Sequence, residues 1–326
     1  MLQPVHAAVA RAGATPARSH PAGARDHGFP PRHVAAALLA SVVASAALMM
    51  QAGLRVTGDG RVALALALGI VLVIVLRSRR VTNGWRHGAA LRDGAGYYAL
   101  FTGIALAGAV TSYPIAASTH GYADPMLQRI DLALGFDWLT WYRAVAAHPV
   151  LQVVGTACYQ SIYVTPAILL GWFARTGERA EAHRFLASFW LAAVVTLALF
   201  ALMPAVGPLS YLWHGPLPYL PASETWQSDL IPALRARRVG AVDLGALRGL
   251  VSAPSFHAAA GTIYLSTAWR TPPLRLPLIG LIAAMLLSTP VEGTHYLVDM
   301  ILGAGVARIA MEAVDLALAR TRRRAG

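Results

Sequence analysis

Two short stretches near the C-terminal end hold the residue types that could do chemistry together: Pro254-Ser255-Phe256-His257 and Gly293-Thr294-His295-Tyr296-Leu297-Val298-Asp299. Both sit at the edge of long apolar runs, where an ionisable side chain is costly unless it has a task. His295 and Asp299 are four apart, which puts them on one face of a helix. A carboxylate holding one ring nitrogen fixes the tautomer and leaves the other nitrogen free to attack. His257, from a different helix, can protonate a leaving oxygen and then activate an incoming hydroxyl. That division into nucleophile and acid/base suits phosphoryl transfer without a metal. Ser255 reads as a helix cap, and free N–H groups at a helix start bind phosphate oxygens.

The intervening segment predicts how the two stretches meet. Residues 258–294 are apolar and split by Thr271-Pro272-Pro273. At about 1.5 Å of rise per residue, against a bilayer core of about 30 Å, such a segment crosses, turns at the prolines and crosses back. His295 thus returns to the side where His257 started.

The rest of the chain supports a membrane setting. Of 326 residues, 56% are hydrophobic and only 13% charged, and the mean hydropathy is +0.53. These values exclude an ordinary soluble globular domain and predict an all-α, polytopic helical membrane protein. Eight spans are expected, near 34–53, 62–77, 96–116, 150–173, 184–203, 255–270, 274–290 and 294–316. Residues 1–33, rich in Ala, Pro, Gly and Arg, read as a disordered cytoplasmic tail, and the first apolar run as a retained signal-anchor. Residues 34–80 form two additional spans, 95–316 the membrane core, and 317–326 a basic tail. The net charge is +12 and all of it is arginine, since the chain has no lysine. That charge suits anionic lipid at a cytoplasmic face rather than nucleic acid. With the N-terminus inside, eighteen arginines fall on the inner side and eight on the outer. The bias places both termini in the cytoplasm and both histidine motifs on the periplasmic or extracellular face of a plasma-type membrane. Two long outer segments then stand near the motifs. One, Asp131 to Arg143, holds Phe136, Trp138, Trp141 and Tyr142 and reads as an interfacial helix. The other, Pro204 to Ala253, reads as an ordered cap. Cys158, the single cysteine, permits no intramolecular disulfide.

Pro254-Ser255-x-His257 followed by Gly293-x-His295-x3-Asp299-x3-Gly303 resembles the type 2 phosphatidic acid phosphatase superfamily. The phrases Pro204-Ala205-Val206-Gly207-Pro208 and Leu134-Gly135-Phe136-Asp137-Trp138 look most like its inositol phosphorylceramide synthase branch, as do Ala258-Ala259 and His295-Tyr296. The resemblance covers roughly residues 95–316. It implies a six-helix core, a lipid phosphate substrate, no metal or other cofactor, and a phosphohistidine intermediate. In that scheme His295 is the nucleophile, Asp299 its orienting partner and His257 the acid/base.

The chain departs from the family pattern where phosphate is held. The first motif's lysine and arginine have no clean copy, Thr289 stands where the third motif carries an arginine, and Phe256 stands where the second motif has glycine. The expected phosphate-binding positions are Ser255, Phe256 and Arg248, the arginine because it lies closest to the second motif. Arg235, Arg237 and Arg238 are the other nearby cations. The alternative is a non-catalytic lipid transporter or scaffold on the same fold, which the missing clamp favours and the intact His257, His295 and Asp299 oppose.

Overall fold

In a bilayer core every backbone N–H must find an acceptor, which a helix or a closed barrel allows, and long continuous apolar runs without strand alternation choose the helix. The computed structural model describes residues 31–325. The tail expected at the N-terminus lies outside the described residues up to position 30, and Pro31 opens the first helix. In chain order the elements are α1 (Pro31–Ala52), β1 (Arg55–Thr57), α2 (Gly60–Arg77), α3 (Arg79–Thr82), α4 (Gly88–Ala117), α5 (Asp124–Ala133), α6 (Trp138–Ala146), α7 (Pro149–Gln160) and α8 (Thr165–Thr176). There follow α9 (Arg179–Leu202), α10 (Pro208–Leu212), α11 (Trp226–Arg235), β2 (Ala241–Asp243), α12 (Phe256–Trp269), α13 (Arg275–Glu292) and α14 (Leu297–Ala325).

Among the described residues, six helical segments are long and apolar enough to cross a membrane, so this is a multi-pass membrane protein. They are α1, α2, α4, α7 with α8, α9, and α13 with the turn before it. The two remaining expected spans are α12 and α14, which carry the histidine motifs. α12 is 14 residues long, about 21 Å at helical rise. α14 bears Asp299, Arg308, Glu312 and Asp315. Both pack inside the bundle, with Ala259, Ala260, Tyr264, Ala307 and Ala310 buried. α14 keeps a second, open face, where Arg308 and Glu312 pair with each other at 2.8 Å.

The core is aromatic at its centre. Phe189 lies 4.6 Å from Phe101 between ring centroids and packs on Phe185 and Tyr264. α1 belongs to this core, for Val34 is buried in it and Trp190 donates its Nε1–H to Ser41 at 2.9 Å. α2 has no buried residue and sits at the periphery. β1 and β2 pair in parallel, Val56 opposite Val242, and tie the α1–α2 turn to the segment after α9.

The aromatic stretch at 131–143 is not one interfacial helix. It is the end of α5, a turn, and α6, and Trp138 and Tyr142 are fully buried. Trp138 donates to the Pro290 carbonyl at 2.8 Å and Tyr142 to the Tyr219 carbonyl at 2.6 Å. Aromatic density suits both settings, and only packing decides which face is covered. The long segment 204–253 is ordered, as α10, α11 and β2.

Ion pairs gather at the end of the bundle away from His257. Arg184 on α9 is bidentate to Asp315 on α14, Arg270 at the far end of α12 reaches Glu181 at 3.6 Å, and Arg179 meets Asp93 at 2.9 Å.

Candidate active site

Ser255 caps α12, accepting from Ala258 N–H at 3.2 Å, and is fully buried. This sets His257 in the first helical turn. α14 begins at Leu297, two residues after His295, so the two expected partners are not on one continuous helix. His295 lies in a turn that follows Thr294, whose φ of +48° is left-handed. Proximity survives because Asp299 folds back on that turn. Its Oδ2 accepts from Tyr296 N–H at 3.1 Å, while the His295 Nδ1 lies 3.2 and 3.4 Å from its two oxygens. Asp299 thus engages the Nδ1 side of the His295 ring.

The two motifs are joined through the backbone. Ser255 N–H donates to the Asp299 carbonyl at 3.0 Å, and Gly303 admits the Ser255 carbonyl so closely that a Cβ there would overlap it. The His257 ring stacks on Tyr159, centroids 4.4 Å apart and planes 16° apart, with the phenol oxygen 3.4 Å from Nδ1. The His257 and His295 rings stand 6.0 Å apart between centroids, tilted by 52°. The rings are thus close enough for one small group to reach both.

The expected phosphate contacts are placed less uniformly. The Ser255 Oγ accepts from the Ala258 N–H as the cap, which leaves its O–H proton to donate. The Phe256 ring turns into the core, edge-on to Phe189 at 5.3 Å, so only its backbone remains at the helix start. Arg248 is 48% exposed in its side chain, lies over Trp226 and faces Glu224 at 3.9 Å. Arg235 covers Tyr122 and donates to Thr119 and Gly121. The structure does not join either arginine to the histidines by a hydrogen bond or ion pair. Among the described residues, no group of three or more His, Cys, Asp or Glu side chains is placed to hold a metal ion.

Three buried carboxylates frame the site without a cation. Asp131, on α5, accepts from Leu297 and Val298 N–H, both at 2.8 Å, and so caps α14 from a distant part of the chain. Asp124 accepts from Val206 and Gly207 N–H, each at 3.0 Å, and from the Tyr296 hydroxyl at 3.1 Å. Burial pushes both aspartates above the usual carboxylate range, against the pull of these donors. Glu292 accepts from Tyr219, Thr156 and Ala222 N–H at 2.9 to 3.1 Å and fastens the outer segment to the turn before His295. Burial, with that carboxylate beside it, pushes the Tyr219 phenol up to about 12, so it stays a donor.

Asp124, Asp131 and Tyr159 were not singled out by motif reading. The usable signal was scarcity: the chain has only 15 acidic residues, and two of them lie seven apart before a predicted span. Asp131→Ala is expected to cost about 0.5–2 kcal/mol as a lost cap and to lower turnover further by loosening the Asp299 turn. Asp131→Asn, keeping one acceptor oxygen, should recover part of both. Thermal unfolding in detergent and turnover of the same preparations check this.

A family model described as the PAP2 superfamily matches residues 125–313. No curated protein and no solved structure matches the chain.

Proposed function

Because the chain belongs to the PAP2 superfamily, we propose that it is an integral membrane lipid phosphatase or phosphotransferase working through a phosphohistidine on His295. The observation that carries this reading is the pair of imidazoles 6.0 Å apart, one of them against a fully buried aspartate. Asp299 holds the His295 Nδ1 and presents Nε2 to phosphorus. As the new N–P bond forms, the ester P–O bond breaks and the leaving oxygen takes a proton from the His257 Nε2. In the second half an incoming hydroxyl gives its proton to His257, attacks phosphorus and releases His295. Water makes the enzyme a phosphatase, and an alcohol makes it a phosphotransferase. The synthase-like phrases in the sequence support an alcohol such as inositol or a lipid hydroxyl.

The arginine bias supports a site on the outer face with both termini inside. Arg184, Arg270 and Arg179 gather at the opposite end of the bundle, in keeping with that orientation. Substrate would enter sideways from the bilayer.

The test is to quench the purified protein after mixing with a phospholipid panel labelled at phosphorus. An acid-labile, alkali-stable label on His295, discharged by water or by a particular alcohol, is the expected result and names the acceptor. Turnover with no labelled protein at any quench time would remove the phosphohistidine scheme.

A further inference from the structure

Besides the Asp299 Oδ1, two buried polar atoms in or just before the second motif have no hydrogen-bond partner among the described residues. One is the hydroxyl of Ser252, five residues before His257 and 2% exposed; the other is the His257 Nε2. Such orphans are rare in folded proteins and mark ordered water or an absent ligand. A third observation sets Ser252 against the other motif. Gly207 has φ +91°, and a Cβ built on it would lie 2.8 Å from the Thr294 carbonyl, 3.2 Å from the Thr294 hydroxyl and 3.4 Å from the Ser252 hydroxyl. A Cβ at position 207 would crowd the Thr294 carbonyl and both hydroxyls, so the bare Gly207 backbone packs between Ser252 and Thr294 and brings the two into one neighbourhood. The Thr294 hydroxyl accepts from Ser223 at 3.4 Å, which leaves its own proton to donate. Thr294 directly precedes His295.

Resting on the reading of His257 and His295 given above, we propose that the Ser252 and Thr294 hydroxyls bind the non-bridging oxygens of the substrate phosphate in place of a cationic clamp. The chain has no lysine, and Arg248 is engaged with Trp226 and Glu224. Neutral donors avoid the desolvation that a buried guanidinium would suffer when the site is empty. First-turn N–H groups of α12, which have no intrahelical acceptor, add to the same field. His257 Nε2 stays available for the leaving oxygen. The ligand is a tetrahedral phosphate oxyanion, either free or as a lipid headgroup.

The experiment compares the full chain with Ser252→Ala, Ser252→Cys and Arg248→Ala in detergent. Calorimetric Kd values for orthovanadate and inorganic phosphate, and KM for a short-chain lipid phosphate, are read side by side. Ser252→Ala is expected to weaken vanadate about tenfold or more, the loss of one donor to a charged acceptor, with an unchanged unfolding temperature. Ser252→Cys keeps the volume with a poorer donor and should move the same way, which covers a failure of the alanine variant to fold. A rise in both Kd and KM assigns the hydroxyls to the phosphate itself, and a rise in KM alone assigns them to the esterified headgroup. Values unchanged in both Ser252 variants, or raised only in Arg248→Ala, overturn the inference. Wild-type protein that binds vanadate through Ser252 yet turns over no ester would sink the catalytic reading and leave the anion site standing.

Discussion

His295→Ala should lose at least on the order of 10⁴-fold in kcat, because nothing else in the site can accept the phosphoryl group. His257→Gln should fall by about 10²–10⁴-fold, the range for a removed acid/base, and the two losses should differ in kind. With a lipid analogue whose leaving group needs no proton, such as a nitrophenyl ester, the His257 variant should still be phosphorylated. It should then hold the label, since the incoming hydroxyl has lost its base. The His295 variant should take no label from either substrate. Quenched-flow trapping with both substrates separates these outcomes. A His295→Ala protein with wild-type turnover would remove the proposed chemistry.

Gly303→Ala carries the second large effect, and it is steric. A Cβ at 303 would overlap the Ser255 carbonyl oxygen and stand 3.1 Å from its carbon and 3.2 Å from the Ala258 Cβ. The oxygen is backbone, fixed by the cap of α12 and by the Ser255–Asp299 bond, so no side chain can swing aside. The helices must part, at a cost of about 1–3 kcal/mol or more for overpacking. That movement also pulls His257 from His295. Gly305→Ala, on the same helix with nothing within 4 Å of its built Cβ, should be tolerated. Yield of monodisperse protein and turnover of the two variants make the comparison. Equal behaviour would mean that the α12–α14 contact is looser than described.

Most of the fold was legible because hydropathy is local. Each expected span overlaps a helix, but α4 begins at Gly88 rather than 96, α14 runs on to Ala325 rather than 316, and the fourth span is broken between α7 and α8. There Pro166, lacking an N–H, sits in the first turn of α8. The meeting of His257, His295 and Asp299 was legible too, through a span-length spacing and a proline turn. The local form of the second motif was not. Thr294 is β-branched and poorly suited to a left-handed backbone, so nothing in its type announced the turn that replaces the expected helix. Asp131 was illegible for another reason: its acceptors serve N–H groups 166 and 167 positions away. Trp138 and Tyr142 show the limit of composition, since aromatic residues mark a wet boundary and a dry interior alike.

The two ends of the bundle are fastened by different forces. Asp124, Asp131 and Glu292 are held by neutral donors, whereas Arg184, Arg270 and Arg179 are held by opposite charges that are partly open to water. Dissolved ions screen the second kind and leave the first nearly untouched. Raising electrolyte concentration therefore slackens mainly the end held by Arg184, Arg270 and Arg179, whereas at the other the Arg248–Glu224 pair is open to screening and the buried carboxylates are not.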